Sequence, residues 1–226
     1  MKSIFTIISL LGGLSSSAFA YDLTILVEFI SAERTDAVRL VTEHADQADG
    51  TQLRAAVQKL IDKKEAEWID ASLVRGRNGL RAKIEGIEEF PYPSEFDPPE
   101  SAKNLDLENV DTEAFKTSQA NPGAYEIRNL GATLEVDPRI SSDGETINLD
   151  LNPEFVSLNR FRFYEREEAR ESSPIANVKM PIFHTIRPST SLQVRDGKYG
   201  LVALASHPSE KGQMVFIFVR VDLLKK

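Results

Sequence analysis

The sequence has 226 residues, contains no cysteine and carries a formal net charge of −8. A chain of this length can bury the core of one domain or of two small ones, and without cysteine it has neither a disulfide nor a thiolate nucleophile. Its acidic charge argues against nucleic acid as a ligand, because phosphates require a basic surface.

The first 20 residues have the pattern of a secretory signal peptide. Lys2 gives a positive start, Ile4–Leu14 is mostly apolar, and Ala18-Phe19-Ala20 forms a small-residue cleavage site. The apolar stretch is shorter than the roughly 20 residues that span a bilayer. We therefore expect cleavage after Ala20 and an exported mature chain without a transmembrane helix; an uncleaved anchor is the alternative.

Residues 21–90 predict a small β-α-α-β-β unit. Leu23–Phe29 is apolar and β-prone, which indicates a strand, and Thr35–His44 has the apolar face of a helix. Thr51 is suited to cap a second helix. The apolar face of that helix follows the 3.6-residue period and consists of Leu53, Val57, Leu60 and Ile61.

A hairpin is predicted to end this unit. Glu67–Val74 indicates a strand, and the stretch from Arg75 to Gly79 contains an Asn-Gly pair suited to a turn. After it, Leu80, Ala82 and Ile84 alternate with charged residues, as in a strand with one buried face. We therefore expect these two strands to pair with each other.

Residues 91–123 differ from both flanks. They are rich in proline and acidic residues and poor in large apolar side chains, and Pro98-Pro99 disfavours regular structure. We predict a linker or an extended arm here.

Residues 124–226 predict antiparallel β-structure. Two apolar series alternate with polar residues on either side of Asp143-Gly144, which is typical of a hairpin with one buried face. The first series is Ala132, Leu134, Val136 and Ile140, and the second is Ile147, Leu149, Leu151 and Phe155.

Further strands follow this hairpin. Residues 159–177 are highly charged and predict a mobile loop. Ser191–Arg195 and Gly200–Ala205 flank Asp196-Gly197 and predict a second hairpin. The nearly unbroken apolar run Met214–Val221 predicts a central strand covered on both faces.

Several blocks in a fixed order resemble the core domain of secretins, the outer-membrane ring proteins of type II and type III secretion and of type IV pili. The helix at Leu53–Leu60 is followed by the strands Ala66–Val74 and Arg81–Gly86. Residues 131–144 then match the family pattern G-x-x-L-x-V-x-P-x-I-x-x-D-G, and residues 190–197 match T-x-(V/L)-x-V-x-D-G. The resemblance covers roughly residues 50 to 221.

The resemblance implies an α+β fold in which the small N-terminal β-α-α-β-β unit packs with a C-terminal antiparallel, sandwich-like sheet. The corresponding division is a signal peptide (1–20), an N-terminal subdomain (21–90), the linker or arm (91–123) and a C-terminal subdomain (124–226). The family pattern P-x-L-G-x-(I/L)-P-x-L-G, which belongs to the membrane-engaging region, is absent before the last strand. The resemblance therefore implies a short or degenerate stand-alone form, periplasmic or associated with the outer membrane of a Gram-negative-type bacterium.

No set of residues predicts an enzyme, a metal site or a cofactor. The three histidines, His44, His184 and His207, lack metal-ligand spacing, and there is no G-x-S-x-G serine motif. The run from Asp46 to Gly50 resembles the start of a calcium loop only superficially, because a ligand position is Ala48. Glycan hydrolysis by paired carboxylates is the least favoured alternative, since nearby Lys and Arg residues indicate a salt-bridged surface around Glu65, Glu67, Asp70 and Glu85.

The candidate residues for contact with a partner are aromatic or basic. They are Trp68, Arg75, Arg77, Phe161, Phe163 and Tyr164. The structural alternatives are a core position for Trp68 and a solvated hairpin tip for the two arginines.

The function that the resemblance implies is non-enzymatic. It is that of an accessory component of type IV pilus or type II/III secretion assembly, acting by contact with other envelope proteins or with itself. The alternative is a free periplasmic or surface binding module that has kept the fold without the secretion role.

Overall fold

The computed structural model describes residues 22–97, 121–164, 178–207 and 210–224. The predicted signal peptide therefore lies outside the described residues. In chain order the elements are β1 (Asp22–Glu33), α1 (Arg34–Glu43), α2 (Thr51–Asp62), β2 (Ala66–Arg77), β3 (Ala82–Asp97), β4 (Asn121–Ile140), β5 (Thr146–Tyr164), β6 (Val178–Ile186), β7 (Thr190–Arg195), β8 (Tyr199–Ser206) and β9 (Gln213–Leu224). The α+β class and the β-α-α-β-β order at the start are confirmed.

The strands form two antiparallel sheets. The first has the order β2-β1-β9-β8, so it joins strands from both ends of the described chain. The second has the order β3-β4-β5-β6, and β7 pairs with the part of β5 that β6 leaves free. The edges of the sandwich are therefore β2 and β8 in the first sheet, and β3 with β6 and β7 in the second.

The core lies between the two sheets. Alternation along β1 points Leu23, Ile25 and Val27 inward, and each is fully buried. The second sheet contributes the two apolar series predicted around Asp143-Gly144, of which Leu134, Val136, Ile147, Leu149 and Leu151 are at most 1% exposed. The predicted interior of this hairpin is confirmed.

The other face of the first sheet is partly covered by the helices. Leu53, Val57 and Leu60 of α2 pack against Phe216 and Phe218 of β9. Residues 215–219 of β9 are fully buried because this strand is central and covered on both faces, as predicted. The N-cap of α2 is Gly50, one residue before the predicted cap.

Both of the hairpins predicted across short turns near Asn78 and Asp196 are wrong in their pairing. The strands exist, but β2 pairs with β1 and β3 pairs with β4, so the turn after Arg77 carries the chain from one sheet to the other. The turn at Asp196-Gly197 does the same between β7 and β8. The Asn78 carboxamide accepts a hydrogen bond from the backbone of Ile140, which anchors the first turn to the opposite sheet.

Two segments predicted to be irregular contain strand. Residues 91–97 and 121–123 of the predicted linker or arm continue β3 and β4, while residues 98–120 lie outside the described residues. The prediction of a loop from 159 is wrong up to Tyr164, because β5 continues to that residue and pairs with β6. Residues 165–177 of that loop are not described.

The second sheet divides at its far end. Pairing between β4 and β5 stops at Gly131 and Val156. Beyond that point there are two arms: a β3–β4 arm (residues 87–97 and 121–130) and a β5–β6 arm (157–164 and 178–185). Aromatic rings join them, with centroids 5.3 to 6.4 Å apart, and belong to Phe90, Tyr92, Phe161 and Phe183.

Asp143 stabilises the turn between β4 and β5 through its carboxylate. It accepts hydrogen bonds from the backbone of Glu145 (3.0 Å) and Thr146 (2.9 Å) and from the Thr146 hydroxyl (2.6 Å). These hydrogen bonds lower the pKa of Asp143 to about 2, and the bond from the Thr146 hydroxyl has the largest effect.

We expect NMR titration of the Asp143 carboxyl to give a midpoint near pH 2 and Thr146→Val to raise it, because the variant loses the hydroxyl donor. The lowered pKa means that the turn is stabilised above the pKa of an unfolded aspartate and loses this contribution as pH falls toward 2. A titration unchanged by Thr146→Val would contradict the assignment.

Candidate protein-binding surface

Among the described residues, the exposed large apolar side chains form two groups on the strands. The first surrounds β2 and comprises Trp68 (48% exposed), Leu73 (53%), Leu80 (58%) and Leu224 (36%). The second lies on the β3–β4 arm and comprises Ile87 (37%), Tyr125 (64%) and Ile127 (62%). Clustered exposed apolar side chains are typical of interaction surfaces, whereas single ones are ordinary.

The strand register places the first group on one face. Leu26 lies opposite Leu73, and Thr24 lies opposite Arg75. Their neighbours Ile25 and Val27 point into the core, so these residues point outward. Arg77, opposite Asp22, and Trp68, opposite Ile30, lie on the same outer face. We call the residues Trp68, Leu73, Arg75 and Arg77 the β2 surface.

Trp68 is held in place by a hydrogen bond to a buried carboxylate. Its indole N–H donates a hydrogen bond of 3.1 Å to the carboxylate of Glu28, which is 5% exposed. The guanidinium carbon of Arg54 lies 5.8 Å from the Trp68 ring centroid. The ring is therefore held in place while about half of it faces solvent, which is the arrangement that an aromatic contact residue requires.

Glu28 and Arg54 form a bidentate ion pair. The Arg54 Nε and Nη2 atoms donate to the two Glu28 oxygens at 2.7 and 2.8 Å. Burial alone would raise the pKa of Glu28, but hydrogen bonds from Arg54 and then Trp68 hold that pKa below its usual value. The pair thus stays charged beneath the β2 surface.

The network of Arg54, Glu28 and Trp68 extends to residues of β8 and β9. The guanidinium carbons of Arg54 and Arg220 each lie 5.6 Å from the centroid of the Tyr199 ring. Arg220 in turn pairs with Asp222 at 2.7 Å. The position of Trp68 is therefore coupled to three of the four strands of the first sheet.

Two grooves flank the β2 surface, and their charges differ. The groove beside Trp68 has a volume of about 540 Å³ and is lined by three carboxylates, Glu65, Glu67 and Glu210, and one lysine, Lys64. The groove at the other end of β2 has a volume of about 450 Å³. It is lined by one carboxylate, Asp22, and by four cations: Arg75, Arg77, Arg81 and Lys83.

The cations of the second groove differ in how far they are neutralised. Arg81 pairs with Glu135 and Asp137, and Lys83 pairs with Glu85. Arg77 meets Asp22 at 3.6 Å and is 70% exposed. In the described part of the chain Arg75 makes no ion pair, so its charge is available to a partner.

The predicted contact residues fall into two places. Trp68, Arg75 and Arg77 come together on the β2 surface; Trp68 is a surface residue rather than a core residue, and the two arginines lie in a strand, not at a hairpin tip. Phe161 lies on the β5–β6 arm, packed on Phe90 and under Lys179, whose Nζ is 3.9 Å from the ring centroid. Phe163 and Tyr164 continue β5, but their side chains lie outside what is described.

Sequence reasoning missed the residues that build this surface. The alternation of Leu80 with charged residues predicts a buried side chain, and Leu73 has no predicted role in contacts, but both are more than half exposed. Glu28 and Arg54 were missed altogether. The available signal was a charge in the middle of the apolar strand Leu23–Ile30 and another on the apolar face of α2.

The residues considered for catalysis do not converge. Glu67 and Asp70 lie on β2 in the first sheet, whereas Glu85 lies on β3 in the second and pairs with Lys83 at 2.9 Å. No group of three or more potential metal ligands occurs within residues 22–97, 121–164, 178–207 and 210–224. None of the helices in those ranges is long and apolar enough to cross a membrane.

Comparison with known proteins gives structural matches only. No protein-family model matches the chain, and no curated protein matches it in sequence. The type III secretion injectisome secretin InvG of Salmonella matches at a TM-score of 0.42 and 12% identity, over 92% of this chain and 64% of the matched chain. The type II secretion system secretin GspD of E. coli K12 matches at 0.41 and 11%, over 92% and 51%.

A third match is the Klebsiella pneumoniae type II secretion system outer membrane complex of PulD, PulS and PulC, with a TM-score of 0.39, 10% identity, and coverage of 92% and 40%. The chain thus spans between 40% and 64% of the length of these three matched chains. Across 92% of its residues it is structurally similar to secretin core domains, the family that its sequence motifs resemble.

Proposed function

We propose that this chain is a non-enzymatic, secretin-like protein of the bacterial envelope that serves a secretion or pilus assembly by binding another protein through the β2 surface. The observation that carries the proposal is Trp68, held by a buried ion pair yet about half exposed. A tryptophan fixed in this way loses little side-chain entropy when a partner covers it, which is a property of residues that dominate binding energy.

The surroundings of Trp68 support this role. Leu73 adds apolar area, and Arg75 and Arg77 belong, like tryptophan, to the residue types that are enriched in protein interfaces. The order of the motifs at residues 131–144 and 190–197 supports the secretion-related setting. The proposal also includes the assembly in which the chain would act, its export, and its place in the periplasm or at the outer membrane.

Photo-crosslinking in the native host tests the proposal. Leu73 is replaced by a photo-reactive phenylalanine analogue in the full chain, and Val38 on α1, 49% exposed, is replaced in the control. We expect illumination to join position 73, but not position 38, to a component of a secretion or pilus system identified by mass spectrometry.

Two results would count against the proposal. Equal adducts from positions 73 and 38 would show collision rather than binding. The absence of any adduct at position 73 in folded protein would favour the free binding module, which has the same fold but no partner in such a system.

A further inference from the structure

The free edge of β2 differs from the other edges of the sandwich. Edge strands are commonly protected by proline, lysine, short length or cover, because their unpaired backbone groups invite another strand. β3 contains Lys83, Pro91 and Pro93, and β6 contains Lys179 and Pro181. β2 has 12 residues without proline or lysine.

Two of the other edges are short or partly covered. β7 has six residues. The start of β8 is covered by the loop before α2, where the Gly50 N–H donates to the Tyr199 carbonyl at 2.7 Å and the Tyr199 N–H donates to the Thr51 hydroxyl at 3.2 Å. Among the described residues no strand pairs with the outer edge of β2, whose one irregularity lies near Ile69.

The part of β2 without these protective features, Asp70–Arg77, extends into the groove that is lined by four cations. Arg75 and Arg77 lie two residues apart on its outer face, and the same groove is lined by Arg81, just before β3, and by Lys83 on β3. This group of cations stands out on a protein whose net charge is −8. Exposed Leu80 and Leu224 also line this groove and add apolar area beside the two arginines.

We infer that Asp70–Arg77 is a docking edge for an extended, acidic segment of a partner protein, which adds as a strand beside β2. Its backbone would pair with β2, and carboxylates at alternate positions would meet Arg75 and Arg77, since alternate residues of a strand share one face. The inference rests on the proposed function and gives the chemistry of the partner. Charge complementarity selects an acidic segment over a basic one.

A peptide of alternating valine and glutamate, labelled for fluorescence anisotropy, tests the inference on the full chain. We expect it to bind, and the valine–lysine counterpart to bind at least roughly tenfold more weakly. Arg75→Glu combined with Arg77→Glu should weaken binding of the glutamate peptide by a similar factor. The matched control is Arg34→Glu with Arg160→Glu, which changes the net charge equally at two exposed residues that do not line the groove.

Backbone pairing is tested with the same peptide N-methylated at either its odd or its even positions. A docked strand uses the N–H groups of one set, so one modified peptide should lose binding and the other should keep it. Circular dichroism checks that each protein variant is folded.

Three results of the peptide assays would overturn the inference. They are equal binding of the lysine peptide, equal loss in the control variant, and equal binding of both N-methylated peptides. A dimer that excludes the peptide would also overturn it, because the edge would then hold a second copy. If position 73 still crosslinks to a component of a secretion or pilus system, any of these results would contradict the docking edge but not the proposed function.

Discussion

Replacing Glu28 by glutamine should lower the free energy of unfolding by about 3–5 kcal/mol, because Arg54 would be left as a buried charge without its counter-ion. The two side chains are 7% and 8% exposed, so water cannot take the place of the lost carboxylate. The measurement is urea denaturation of the full chain, followed by circular dichroism. The matched control is Asp137→Asn, which breaks the exposed pair with Arg81 and should change stability little.

A double variant separates the charge from the packing. Glu28→Leu with Arg54→Met removes both charges and should recover much of the stability lost in either single variant, since a buried pair replaced by apolar residues is often neutral. A single Glu28→Gln variant as stable as the parent protein would contradict the buried network.

The lowered pKa of Glu28 fixes the direction of the pH dependence. A carboxylate whose pKa is lower in the folded state stabilises that state above the pKa of unfolded glutamate, and the contribution disappears as pH falls through the lowered value. The stability of the parent protein should therefore fall more steeply in acid than that of Glu28→Gln.

Gly131→Ala should be the other severe substitution. Gly131 has φ +111°, a conformation that side chains disfavour, and an added Cβ would lie 2.2 Å from the carbonyl oxygen of Gly86 on β3. Since that oxygen belongs to a paired strand, the two strands must separate. We expect a loss of about 3 kcal/mol or more in the free energy of unfolding, measured by urea denaturation.

The control for this effect is Gly144→Ala. Gly144 has φ +72° but no atom within 4 Å of an added Cβ, so the substitution carries only the backbone cost of about 1–2 kcal/mol. Equal losses at the two positions would show that the close approach of Gly131 to Gly86 is unimportant.

The elements of this fold were predictable, but their pairing was only partly so. Alternation revealed the buried face of β4 and β5 because both strands of that pair face the same core. The turns at Asn78-Gly79 and Asp196-Gly197 have the local chemistry of hairpins yet join different sheets. Which sheet a strand joins depends on contacts distant in sequence, and turn residues do not report these.

The candidate site shows the same limit. Trp68, Arg75 and Arg77 could be chosen by residue type, but their common face depends on the register of β2 against β1, including the irregularity near Ile69. Proline in β3 was interpreted as a sign of irregular structure, although an edge strand tolerates a missing N–H on its outer side. Whether a strand lies at an edge of a sheet, as β3 and β2 do, is decided by the folded sheet and not by the residues of the strand alone. The docking edge inferred on β2 therefore could not be predicted from the sequence.

The pairing of β1 with β9 has a consequence for how the protein is made. Ser31 and Gln213 meet across this pair although they are 182 positions apart in sequence. Among the described strands, β1 is synthesised first, and its pairing with β9 cannot form until synthesis reaches the other end of the described chain. Such long-range closure slows folding, because the entropic cost of bringing distant segments together is met before the contacts of the completed sheet can form.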